Sequence, residues 1–588
     1  MFPRTACGVT GLDRAVIGAV VIASVCVIAK PALGQGPAPG QESAPKTEVA
    51  PFHHGLHAAP SAAPTAYEDA TPPLFENLGR HGWKVTTRTP EAQAFFDQGL
   101  RLAYGFNHGE ARRAFRQAQR LDPSCAMCFW GEAFVLGPNI NVPMDPAANA
   151  PALAALRQAE ALAGNATDKE QALIAALAKR YAADPSAERA ALDKAWADAL
   201  GEVAKRFPDD IELAVLHAEA MMDTQPWDYW EDGGRRAKGH AQEIVAELER
   251  AMTQNPEHPG AIHLYIHAVE ASDRPERAQP GADRLAALIP GAGHIVHMPS
   301  HIYYRVGRYL DALEANKAAV AADESYIATV GPTGPYPLAY YPHNVHFLLA
   351  TAQLAGDSKT ALEAAAKLQR IVTADAANAV PMVQPDMAAP YWANAMFGTP
   401  DTVLSLPAPD NAPTYVKAMR HYARGAALVS KGRTDEVQAE ISAIESLASA
   451  EDLAKAAAAG IPGPEVLTIA REVLTGRMAM ARGDPGAAIP AFERAAVLQE
   501  SLAYMEPPYW YYPVRQSLGA ALLMTGRLDE AEQAFQAALK RAPNSGWALF
   551  GLMEVAKARG DTAGRQEAEA LLTKVWIGDR SVLDLKRF

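Results

Sequence analysis

The feature that most constrains this chain is recurrence at a fixed spacing. Leu518, Gly519, Leu522, Gly526, Ala531, Phe535, Ala538 and Pro543 mark a unit from Tyr512 to Ser545. Near the other end, Gly99, Leu102, Ala111, Phe115, Ala118 and Pro123 stand at the same intervals. A unit of about 34 residues with apolar positions at helical spacing and a closing proline is two short antiparallel helices. Gly519 and Ala531 are small where the two helices of the unit cross. Leu522 and Phe535 fill the seam between neighbouring units, and Pro543 stops the second helix. Such a unit cannot bury its apolar face alone, so its neighbours must stack on it.

Fainter copies keep the register. Gly483, Ala488, Phe492 and Ala495 mark one, and Gly425 with Gly432 another. Gly398 with Val403, Gly356 with Ala361, Gly307 with Ala312, and Asp273 with Ala278 mark four more. Residues 168–256 read as two further pairs ending at Pro208 and Pro256. About nine or ten pairs then cover most of 90–575. These residues resemble the tetratricopeptide repeat family. The resemblance implies an all-α fold, an α-solenoid of tandem antiparallel helix pairs with a concave groove. We divide the chain into a signal segment (1–34), a Pro/Ala/Gly-rich disordered linker (35–89), N-terminal repeats (90–257), central His-rich repeats (258–370) and C-terminal repeats (371–588).

The start of the chain reads as an export signal. Arg4 and Arg14 precede the apolar run Ala15–Ala29, and a small-residue cleavage site follows at Ala32-Leu33-Gly34. The run is shorter than the roughly 18–20 residues that span a bilayer, so membrane contact is expected only if the segment stays uncleaved. The expected location is the periplasm or the exterior. Cleavage would leave Cys125 and Cys128 as the remaining cysteines, and in an exported chain such a pair most simply forms a disulfide. A redox role, or a thiol joined to a metal, is the alternative. The formal charge of −13 offers no basic stripe for phosphates, so no nucleic-acid partner is expected.

Chemistry concentrates in one place. Seven of the sixteen histidines fall between His263 and His346, where an even scatter would put about two. In repeat register, His294 and His343 take the second place of a first helix, His263, His297 and His346 the fifth, and His267 and His301 the ninth. Steps of three and four keep these on one face. The resemblance implies that this face lines the groove and touches the ligand. His263/His267 and His297/His301 have the one-turn spacing of helical metal sites, and Glu270 could add a carboxylate or orient a ligand. Imidazole suits Zn, Cu or Fe. Clustered imidazoles should repel one another's protons, so binding should depend on pH near 6. Tyr304 and Arg305 extend the face, with Arg305 placed to hold an anionic ligand. Asn344 either touches that ligand or caps its helix.

Four inserts rich in proline and aromatics interrupt the repeats: 225–230, 334–342, 385–392 and 506–513. They are long enough to fold over one edge of the groove, or else they pack the turns. Three functions remain open. The first is an exported binding protein whose His-lined groove takes a transition metal, a small ligand or a peptide. The second is a metal-dependent enzyme using the same histidines. The third is a plain protein–protein interaction scaffold.

Overall fold

The computed structural model describes residues 70–588 apart from 185, 332, 333 and 335. The signal segment and the linker as far as 69 lie outside the described residues. From Pro90 onward the chain is a succession of paired helices. Pro90–Tyr104 pairs with His108–Leu121, Tyr341–Ala355 with Ser358–Ile371, Thr414–Ser430 with Thr434–Leu447, and Arg515–Met524 with Leu528–Arg541. Strand is confined among the described residues to a two-residue ribbon, Trp230–Glu231 against Arg236–Ala237. No helix among them is long and apolar enough to cross a membrane.

The repeat spacing has a specific packing cause. A Cβ on Gly99 would stand 2.7 Å from the Phe115 ring, one on Gly476 2.5 Å from Phe492, and one on Gly519 2.9 Å from Phe535. Each phenylalanine follows its glycine by the same sixteen residues (99 to 115, 476 to 492, 519 to 535). Phe115 and Phe535 also reach the next first helix, where Gly131 and Gly551 leave room for them. The ring is therefore a wedge between three helices rather than a filler of the seam alone. Any side chain at these glycines would push the helices apart.

Two differences from the sequence reading concern boundaries. Residues 70–89, assigned to the linker by composition, lie along the first helix pair with Leu78, Trp83 and Val85 buried. Side chains of that pair capture the segment's backbone: Gln98 accepts from Phe75 N at 2.8 Å, and Asp97 from Trp83 N at 3.0 Å. Composition misleads here because the ordering contacts come from another part of the chain. The second difference is that buried apolar residues form two cores, one running from Leu78 to Tyr340 and one from Tyr304 to Phe588. They meet at the histidine repeats.

The late repeats also return to the centre. Asn544 donates to the Gly307 carbonyl at 3.2 Å, and Ile577 N donates to the Ala355 carbonyl at 3.0 Å. These contacts join turns more than 200 residues apart.

Candidate metal centre

Three first helices carry the histidines. His263 and His267 are on Pro259–Glu270, and His343 and His346 on Tyr341–Ala355. His294 and His297 are on Gly293–His297 and His301 on Pro299–Arg305, two short helices split at Pro299. All but His343 are buried. Six of the seven side chains sort into two triads: His297, His301 and His343, and His263, His267 and His294.

In the first triad the Nε2 atoms converge. His297 Nε2 is 2.8 Å from His301 Nε2 and 3.1 Å from His343 Nε2. The outer nitrogens decide what this means. Asn316 donates its Nδ2 to the Ala312 carbonyl, so its Oδ1 faces His297 Nδ1 at 2.7 Å and must accept. Glu270 Oε2 likewise accepts from His301 Nδ1 at 2.7 Å. With both Nδ1 atoms protonated, neutral imidazoles turn bare Nε2 lone pairs toward each other. That arrangement is a donor set that could hold a cation. Tetrahedral ligation at about 2.0–2.1 Å sets ligand nitrogens roughly 3.3 Å apart, within half an ångström of the separations here.

The second triad is prepared the same way. His263 Nδ1 donates to the Tyr104 carbonyl at 2.6 Å, and His267 Nδ1 to Glu270 Oε1 at 2.7 Å. The Nε2 atoms of His263 and His267 and both ring nitrogens of His294 have no hydrogen-bond partner among the described residues. Buried nitrogens are rarely left so without a reason.

Burial is the largest cause of the lowered basicity here, ahead of mutual repulsion. It pushes His263, His294, His297 and His343 well below the ordinary histidine range, and neighbouring imidazoles add to it. His267 is also lowered by burial, against the pull of Glu270. For these five imidazoles protonation is displaced to lower pH. Burial works against the Glu270 carboxylate, but His301 and His267 outweigh it and hold the group below the usual range. Glu506 is pushed well above that range by burial and by Glu270.

All four inserts supply walls to one cavity of about 110 Å³ beside the triads, through Trp227, Tyr340, Pro385 with Asp386, and Glu506 with Pro507. Two of them are not the loops that their proline content suggests. Residues 385–392 lie inside the helix Gln384–Phe397, which accommodates Pro390, and 336–340 form a π-helical turn. Trp227 meets His267 edge-on at 5.0 Å between ring centres, and Tyr340 meets His294 at 4.8 Å. Glu506 Oε2 stands 3.6 Å from His301 Nδ1.

Several predicted site residues fall elsewhere. His346 lines the cavity but joins neither triad; its Nδ1 lies 2.7 Å from Asp386 Oδ1. Tyr304 packs on Tyr309 and Phe347, outside the cavity. Arg305 is a strut, donating to the Ser272 carbonyl at 2.9 Å with its guanidinium over Tyr504. Asn344 sits inside its helix, away from the cavity lining, and donates to Asp323 Oδ2 at 2.7 Å, so it does not cap the helix. Glu270 accepts from two imidazoles, and its carboxylate also forms a candidate metal-holding group with His301 and Glu506. Cys125 and Cys128 are joined to each other, and Cys125 caps the helix Ala126–Val135. Asn316, Asp386 and Glu506 were missed; the inserts flagged the last two, and nothing local flagged Asn316.

Residues 513–555 match the tetratricopeptide repeat family. The described residues form an all-helical solenoid of stacked helix pairs like those of that family. Among curated proteins none matches in sequence. Among solved structures, a human IFIT1 dimer with m7Gppp-AAAA is similar at 11% identity and TM-score 0.31, over 83% of this chain and 90% of that one. Yeast Tom70 is similar at 11% identity and TM-score 0.28, over 84% and 94%.

Proposed function

We propose that this protein is an exported binding solenoid that holds a transition metal on His297, His301 and His343. The observation that carries the reading is the convergence of three Nε2 atoms, two of them with Nδ1 fixed as a donor by Asn316 and Glu270. Such outer contacts fix the tautomer and raise ligand basicity. An all-imidazole donor set favours copper or zinc over magnesium or calcium, which prefer oxygen.

A second reading, a metal-dependent enzyme, is favoured by the cavity. Three protein ligands leave a coordination position open, and an open position beside a cavity is the arrangement used to activate a small molecule. Elemental analysis of untagged protein tests the common element. A bound ion that is lost in the His297→Ala/His301→Ala variant is the expected result. Metal-free protein after loading with zinc and with copper, or full occupancy in the variant, overturns it.

A further inference from the structure

We infer that the two triads are one two-metal centre, with His263, His267 and His294 holding a second ion and Glu270 coupling the pair. This deepens the metal reading above and rests on it. The second triad meets the chemical requirements independently. Its three ligand atoms lie within 4.8 Å of one another, and all three residues are buried. The Tyr104 carbonyl and Glu270 fix His263 and His267 with Nε2 bare, and no group of the described protein takes up those lone pairs or either nitrogen of His294. A hydrophobic pocket would not be lined with three such nitrogens, and a hydrogen-bonded core would have paired them.

The triads are also neighbours. His267 and His301 rings lie 5.6 Å apart between centres, and His294 and His297 rings 5.9 Å apart. Glu270 reaches both with one carboxylate: Oε1 holds His267 and Oε2 holds His301, each at 2.7 Å. Loss of the shared carboxylate therefore alters the basicity of a ligand in each triad. Six imidazoles bring no charge, so two divalent ions would be balanced only in part by Glu270. The centre would favour a small anionic ligand, such as hydroxide, in the adjoining cavity.

The test counts ions. Full-length untagged protein is stripped with chelator, loaded separately with Zn(II) and Cu(II), desalted and analysed for metal per chain. Two ions per chain is expected, falling to one in His263→Ala/His294→Ala. One ion in the wild type overturns the two-metal centre and leaves the single-site function standing, whereas none overturns both. Glu270→Ala, checked for helicity by circular dichroism, removes both acceptor oxygens and tests the coupling without removing a triad histidine. It should weaken both binding steps about tenfold to a hundredfold. Weakening of a single step overturns the coupling. Should Glu270→Ala fail to fold, Glu270→Gln replaces it: the shared charge is lost and one imidazole loses its acceptor, and unchanged affinity at both steps overturns the coupling.

Discussion

The Tyr504 hydroxyl donates to Glu270 Oε2 at 2.9 Å, across 234 residues of sequence. One hydrogen bond thus ties the segment just before the 506–513 insert to the carboxylate that holds a histidine of each triad. Tyr504→Phe removes the donor and little volume. We expect a loss of about 1–3 kcal/mol, since the acceptor is a buried charged group, read as a lower urea midpoint. Metal affinity should fall with it. An unchanged midpoint would show that the contact contributes nothing to holding the insert.

Trp227 closes the cavity over His267. Trp227→Ala should leave the number of bound ions unchanged and speed their removal by a chelator, because no ligand is lost and a wall is. Stopped-flow mixing of loaded protein with a coloured chelator measures this rate. Equal rates in variant and wild type would mean that ions leave by another route.

Asp323 gives a dependence on pH that is separate from the histidines. Burial pushes its carboxyl up to about 7, against hydrogen bonds from Tyr336 and Asn344. The folded group keeps a proton that the unfolded one has lost between pH 3.8 and about 7. Its contribution to stability is complete below that window and is lost as pH rises through it. Asp323→Asn is neutral throughout, so it should gain on the wild type by about 2–3 kcal/mol between pH 5 and pH 8. Urea unfolding of both proteins at the two values tests the sign. A gain toward low pH would refute it.

Gly519→Ala tests the wedge packing. The added methyl would stand 2.9 Å from the Phe535 ring, which is itself held by Gly551. Overpacking of this kind costs about 1–3 kcal/mol. Gly526→Ala is the control, because nothing lies within 4 Å of its Cβ position and its positive φ alone accounts for the cost. Thermal melts should rank Gly519→Ala below it; the reverse order would mean that the ring moves aside.

Much of this could be read from the sequence. The glycine–phenylalanine spacing fixes helix pairs because it is a local requirement of two crossing helices. The histidine register predicted which imidazoles share a face, for the same reason. Division into two triads was not legible, since it depends on how three helices turn about their axes. His346 has the same register place as His297, yet Asp386 draws it away. Asn316 has no signature of its own; it matters only because His297 lies beneath it. Residues 70–89 read as linker because their anchors, Asp97 and Gln98, act from the next helix.

The contacts from Asn544 to Gly307, from Ile577 to Ala355 and from Tyr504 to Glu270 have a consequence for how such a chain can vary. An open repeat array tolerates gain or loss of whole units, because each touches only its neighbours. Here an extra pair inserted between 371 and 503 would carry Tyr504 and Glu506 away by about a helix diameter, roughly 10 Å, far beyond hydrogen-bond reach. The number of units between the histidines and the last insert is therefore fixed by these contacts, and the array is a counted one.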